Sequence, residues 1–249
     1  MLKVEQLSYN INEKIIVDKV SLEVKEGEFI GIIGPNGSGK STLLKNIYKV
    51  IKPTSGEIRL NNKDVISMSN KELSKELAVV AQENDASFDF TVEEVILMGT
   101  YPKKKFFEQY SEEDKTIVKN VLEKIGMKEF IDRSYLSLSG GEKQRTLIGR
   151  ALAQETKIII LDEPTNHLDM GSQIKTLNLL KNSKKTVLTA LHDLNMAIRF
   201  CDRIYVMKDG KVVSHGKPGE ILNHTLIKEL YDVDSEVFER NNRTYINFL

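Results

Sequence analysis

The sequence predicts an α/β fold: a mixed sheet flanked by helices, with an antiparallel β part at the N-terminus and an α-helical subdomain inserted in the middle. Three observations carry this. The opening stretches "LKVEQLSY" and "VSLEVKEG" alternate apolar and polar residues, the period-2 pattern of half-buried strands. Further on, "FIGIIG", "KIIILDEP" and "KTVLTALHD" are short continuous apolar runs, each followed by a helical segment, which is how buried parallel strands read. From Thr91 to Arg133 the texture changes to helical spacing with no obvious strand.

Taken in order, "KSTLLKNIYKV" is a helix after the first apolar strand, and "SGEIRLNN" and "ELAVVAQ" are strands. "TVEEVILMG" and "SEEDKTIVKNVLEKIG" are helices that open on capping boxes, Thr91 with Glu94 and Ser111 with Asp114. "DRIYVMKDGKVVSHG" is a hairpin turning at Asp209-Gly210, "PGEILNHTLIKELY" is helical, and "SEVFERNNRTYINFL" is two short strands. The expected organisation is one domain over residues 1–249, with an α/β core of 1–90 and 134–249 and a helical subdomain of about 91–133.

Lys+Arg and Asp+Glu are equal at 36 each, so the chain lacks the basic surplus of a general nucleic-acid binder, and no nucleic acid is expected as a partner. A single cysteine, Cys201, forms no internal disulfide and reads as a small residue on a partly buried helix. The N-terminus lacks a basic start followed by an apolar run, and no stretch approaches the roughly 20 apolar residues that span a bilayer. The expectation is a chain soluble by itself, with any membrane role supplied by a partner.

"GPNGSGKST", beginning at Gly34, fits G-x-x-x-x-G-K-[ST] between an apolar strand and a helix. Glycines there let backbone N–H groups close around phosphate oxygens at a helix N-terminus. Lys40 would reach the outer phosphates, and Ser41 would offer its hydroxyl to Mg²⁺. Asp162 ends the strand "IIILD", at the sheet edge where ligands of open α/β folds bind, and suits the metal or its water. Glu163 follows as a general base for water, with a helix cap as its bland alternative. These two motifs read together as a P-loop NTPase.

One further stretch says which kind. "LSLSGGEKQR" stands with "VVAQEN", "ILDEP", "TNHLD" and "LHD" in an ordered set that resembles the ATP-binding cassette (ABC) family over essentially the whole chain. The resemblance implies an ABC cassette fold, ATP and Mg²⁺ as ligands, ATP hydrolysis, and a homodimer with ATP at the interface. Gly34, Pro35, Asn36, Gly37, Ser38, Gly39, Lys40, Ser41 and Thr42 would then cradle the phosphates. Ser139, Gly140 and Gly141 would bind the γ-phosphate held by the other copy. Ser139 and Glu142 also make an S-x-x-E capping box, so a purely local helix start is the structural alternative.

Further roles are implied residue by residue. Gln82 matches the loop that touches Mg²⁺ and relays contact with a membrane partner. Asp169 matches the loop that crosses to the other subunit. His192 matches the switch histidine that contacts the γ-phosphate and orients Glu163 and water. One departure is visible: by spacing to "VSLEVKEGE" the family's adenine-stacking aromatic falls on Ile11, and Tyr9 takes that place only if the loop is shifted.

The chain lacks the long coiled coils or zinc inserts of DNA-repair cassettes, the paired cassettes of translation factors, and an N-K-x-D guanine motif. A non-transport ABC ATPase is therefore the lesser alternative. "LHDLNMAIRFCDRIYVMKDGKVVSHGKPGEIL", "LIKELYDVD" and "MGTYP" are similar to cassette subunits of iron-siderophore, haem and cobalamin importers, with zinc or manganese importers as nearest competitors. That similarity implies transmembrane permease subunits, an extracytoplasmic substrate-binding protein acting indirectly, and a place on the cytoplasmic face of the membrane. The run "PKKKFFEQY" reads as a solvated loop, with anionic lipid headgroups as the alternative. "TVEEVILMG" suits either core packing or a groove for a permease helix, and the tail after Tyr231 shows no chemical motif.

Overall fold

The computed structural model describes residues 1–81, 89–105, 108–240 and 243–249. The chain begins β1 (Leu2–Ile11), β2 (Lys14–Val24), β3 (Phe29–Ile33), α1 (Lys40–Ile47), β4 (Ser55–Leu60), β5 (Lys63–Asp64) and α2 (Asn70–Glu76). It continues β6 (Leu77–Val80), α3 (Val92–Leu97), α4 (Glu112–Ile125), α5 (Gly140–Ala153), β7 (Ile158–Asp162) and α6 (Met170–Asn182). The remainder is β8 (Thr186–Ala190), α7 (Leu194–Phe200), β9 (Arg203–Lys208), β10 (Lys211–Gly216), α8 (Pro218–Ile221), α9 (His224–Tyr231), β11 (Ser235–Arg240) and β12 (Arg243–Phe248). These elements group into two compact units, Met1–Met68 with Thr186–Leu249, and Ser69–Lys185.

In the first unit β2, β1, β4 and β5 pair in that order, and the pairings are antiparallel. Leu2, Val4 and Leu7 of β1 are buried while Lys3 and Glu5 face out, the alternation that a one-sided core requires. A mixed arrangement follows in the order β10, β9, β3, β8. Here β3 runs parallel to both β8 and β9, and β10 turns back antiparallel on β9. Every residue of β3 and β8 is buried, which explains their unbroken apolar runs. A polar clamp sets the start of β3. The Arg203 guanidinium donates to both Glu28 carboxylate oxygens at 3.0 and 2.8 Å. Phe29 N–H donates to Asp202 Oδ2, and Asp202 N–H returns a bond to the Phe29 carbonyl, both at 2.8 Å.

In the second unit β6 pairs parallel to β7. Helix α5 packs on α3 and α4, and Gly149 makes this possible, because a Cβ there would come within 2.8 Å of Ile125 Cδ1. Thr91, Ser111 and Ser139 each close a complete capping box at the head of α3, α4 and α5. Val92, Val95 and Ile96 are buried, so the apolar face of "TVEEVILMG" goes into packing against α5. Among the described residues no helix is long and apolar enough to cross a membrane.

Two expectations need correction. "PGEILNHTLIKELY" is two helices, because the Asn223 side chain accepts from Leu226 N–H and starts α9 afresh. In "PKKKFFEQY" Lys103 and Lys105 are exposed, as a solvated loop requires, but Lys104 is not. The Lys104 side chain is only 6% exposed and sits 2.5 Å from Asp114 Oδ2, itself 10% exposed, while Lys103 pairs with Glu155. Burial pushes the Asp114 carboxyl up, but the Lys104 ammonium and the Ser111 amide and hydroxyl outweigh it and hold it well below the usual carboxylate range.

This pair yields a stability prediction. Removing one partner of a buried pair strands the other charge, so Lys104→Met should destabilise the chain by about 3 kcal/mol in urea unfolding at neutral pH. The Asp114 pKa is depressed on folding, so its contribution is complete above its ordinary value of 3.8 and fades as pH falls through the depressed one. The stability gap between wild type and Asp114→Asn should therefore shrink below about pH 4 and stay constant from pH 5 to 8.

Candidate functional site

The phosphate loop grows out of the buried end of β3. Its path requires glycine at two points. Gly34 has φ 150°, and a Cβ there would lie 2.1 Å from the Met207 carbonyl oxygen of β9. Gly39 has φ 98°, and its Cβ would lie 2.7 Å from the Ile16 carbonyl oxygen of β2. Pro35, Asn36, Gly37 and Ser38 complete the turn, with Ser38 N–H donating to the Pro35 carbonyl and Gly210 N–H of the β9–β10 turn donating to the Ser38 carbonyl. Lys40, Ser41 and Thr42 form the first turn of α1.

Lys40 is 4% exposed, and its ammonium donates to the Gly34 and Pro35 carbonyls at 2.8 and 3.0 Å. A buried cation laid along its own loop, beside the buried Ser38 Oγ for which no hydrogen-bond partner is found among the described residues, fits an anionic group. The donor set and the glycine cradle together match a nucleotide phosphate chain. Tyr231, at the end of α9, was not singled out by any motif. Burial pushes its hydroxyl up to about 12.

His192 lies in the same unit, exposed between β8 and α7, with Asp193 capping α7 by accepting from Met196 N–H at 3.0 Å. Tyr9 pairs across to Val17 and is half-buried; Ile11 pairs to Lys14 and is 52% exposed beside the β1–β2 turn. Gln82 lies outside the described residues.

The second unit holds the other predicted groups. Asp162, 2% exposed, is the last residue of β7. Glu163 follows in the left-handed region at φ 53°, a conformation that a non-glycine residue adopts at a cost and that turns its side chain off the strand. Asn166 steadies it, donating from Nδ2 to Glu163 Oε2 at 3.2 Å while its N–H donates to the Glu163 carbonyl. Sequence reading missed Asn166, although it sits within "TNHLD".

Ser139 and Gly140 are exposed at the head of α5. Ser139 N–H and Oγ each donate to Glu142 Oε2 at 2.8 Å, and Glu142 N–H returns to Ser139 Oγ. The Ser139 amide and hydroxyl lower the Glu142 carboxyl. Asp169 caps α6 by accepting from Ser172 N–H at 3.0 Å and Ser172 Oγ at 2.7 Å. Gly141 faces that same serine, since a Cβ on it would lie 2.8 Å from Ser172 Oγ. The signature helix start and the Asp169 cap are thus one packed piece, joined through Ser172, another residue that no motif flagged.

The crowding at Gly39 is testable. Gly39→Ala forces both the left-handed strain and the Ile16 clash, so nucleotide affinity should fall about 5- to 150-fold, the counterpart of the ~1–3 kcal/mol such strain costs. A fluorescent ATP analogue titrated against wild type and variant, with far-UV circular dichroism as the folding control, checks this.

Comparison with known proteins agrees with this geometry. Residues 17–166 match the protein family described as ABC transporter. The chain is 38% identical over 240 residues, 95% of its length and 88% of the other's, to the petrobactin import ATP-binding protein FpuD of Bacillus anthracis. It is 36% identical over 240 residues, 95% of its length and 89% of the other's, to the iron(3+)-hydroxamate import ATP-binding protein FhuC of Bacillus subtilis. Among solved structures, an ATP-binding cassette in a dimeric post-hydrolysis state bound to ADP and Pi superposes with a TM-score of 0.75, at 35% identity, covering 88% of this chain and 99% of that one. With its phosphate loop, its capped "LSGGE" helix and a family match spanning more than half its length, this chain belongs to the ABC transporter family as an ATP-binding cassette.

Proposed function

We propose that the chain is the ATP-hydrolysing subunit of a membrane importer for iron-siderophore or a related iron chelate. The observation that carries the ATPase reading is that one chain holds both a glycine-built phosphate loop with a buried lysine and a second, exposed helix start at Ser139. A single nucleotide needs one phosphate loop. Two such features suit two copies arranged head to tail, each ATP lying between the Lys40 loop of one and the signature of the other. The dimeric, ADP- and Pi-bound relative supports that arrangement. The import names of the two curated relatives support the cargo class.

In this reading Lys40 and the loop amides hold the β- and γ-phosphates. The Ser41 hydroxyl, the Asp162 carboxylate and Gln82 are the groups that would hold Mg²⁺, which would supply positive charge to offset that of the phosphates. Glu163 accepts a proton from the attacking water as the water oxygen bonds to the γ-phosphorus. The bond from that phosphorus to the bridging oxygen breaks, leaving ADP and phosphate. His192 orients Glu163 and the water. Lys40 and the partner copy's signature amides stabilise the charge on the transferring group. Asp169, packed against the signature through Ser172, passes the state of one site to the other copy, and either Tyr9 or Ile11 covers the adenine.

ATP binding would close the two copies and hydrolysis would release them. Transmembrane permease subunits, which the cassette would meet on the membrane's cytoplasmic face, would convert that cycle into transport, fed by an extracytoplasmic substrate-binding protein. By its family role Gln82 would relay contact with the permease.

Three outcomes are expected. Glu163→Gln should keep ATP binding while lowering turnover by about 10²–10⁴-fold, the usual worth of a general base, and gel filtration with ATP should show a dimer. Ser139→Arg should abolish hydrolysis while each copy still binds nucleotide by equilibrium dialysis; unchanged turnover would remove the signature from the site. Cells expressing Glu163→Gln under iron limitation should lose uptake of radiolabelled ferric siderophore. Normal uptake alongside lost ATPase activity would move the cargo to cobalamin, haem or a bare metal ion.

A further inference from the structure

The last fifteen residues contain no motif, yet they are fastened to the helix that follows His192. Strand β12 pairs with β11 along one edge. On its other edge Ile246 exchanges two hydrogen bonds with a side chain of α7: Asn195 Nδ2 donates to the Ile246 carbonyl at 3.0 Å, and Ile246 N–H donates to Asn195 Oδ1 at 2.9 Å. The Asn195 amide thereby behaves as one more residue of a β-ladder, closing an edge that would otherwise present unpaired groups. The contact is part-buried, Ile246 is 5% exposed, and α7 packs on β12.

Helix α7 is seven residues long, too short to hold itself in water, so its direction is set by what grips it. Its far end is held where Cys201 presses on β3, since a Cβ on Gly31 would lie 2.8 Å from Cys201 Sγ. Its near end has the Asp193 cap and the Asn195–Ile246 pair, one and three residues after His192. We propose that Asn195 is a positioning residue for ATP hydrolysis: by clamping the first turn of α7 to the C-terminal hairpin, it fixes where the His192 imidazole stands. This rests on the reading of His192 as the switch histidine. Misplacing a catalytic group by about 1 Å costs up to ~10²-fold in rate, and a free first turn permits displacements of that size.

The test uses the full chain with saturating ATP and Mg²⁺. Asn195→Ala should lower kcat about tenfold or more while leaving KM for ATP within twofold of wild type. Ile246→Pro attacks the same contact from the hairpin. It deletes the N–H that faces Asn195 and spares the β11 ladder, because proline is tolerated where the N–H points away from the sheet. It should give the same loss, and the double variant should be no worse than either single one, as expected for one shared interaction.

Turnover within twofold of wild type in both single variants would overturn the proposal. So would a rate loss that scales with the loss of folded protein in thermal melts, or additive losses in the double variant. His192→Ala, measured in parallel, separates the premise: full turnover in that variant overturns the switch-histidine reading itself, whereas a dead His192→Ala beside an active Asn195→Ala overturns only the role of the clamp.

Discussion

The site depends on two points of backbone, Gly34 and Gly39, that have no room for a side chain. From Gly34 to Gly39 the chain passes between the Met207 carbonyl of β9 and the Ile16 carbonyl of β2, at separations that exclude even a methyl group. The loop leads into α1 at Lys40, which is buried with its charge met by the Gly34 and Pro35 carbonyls. A cation in such a place is costly unless its partners are close, so the loop and the lysine define each other. Everything else in this unit keeps the walls in position. The Glu28–Arg203 and Asp202–Phe29 bonds hold β3 and β9 in register, and the Gly210 amide ties the β9–β10 turn to Ser38.

The head of α5 is a structural cap that is complete within its own chain. The capping box satisfies Ser139 and Glu142 with each other and places a lowered carboxylate at the positive end of the helix. A locally finished helix start needs no ligand to fold. Ser139 and Gly140 stay exposed, as the proposed role toward a second copy's nucleotide requires. Packing against Ser172 ties this helix start to Asp169, so two motifs about 30 residues apart in sequence belong to one rigid piece.

The C-terminal segment, by contrast, acts through polar contacts rather than chemistry of its own. Strand β12 takes the Asn195 amide as an edge partner, which ties the tail to the helix that follows His192.

Local patterns determined most of this protein from its sequence alone. Alternation gave the antiparallel β part, continuous apolar runs gave β3, β7 and β8, and the capping boxes gave the starts of α3, α4 and α5, because each signal is contained within a few consecutive residues. The phosphate loop was legible for the same reason: its glycine spacing is a backbone requirement. Other features have no period and no local cue. Lys104 looks like a solvated lysine until the fold buries it on Asp114, and the break before α9 depends on which side chain wins Leu226 N–H. Asn195 meets Ile246 across 51 positions of chain, and Ser172 becomes important only where it lies against Gly141. Sequence carries the periodicities and the turn chemistry; tertiary structure decides which polar side chain faces which backbone, since those pairings exist only once burial has made an unpartnered group expensive.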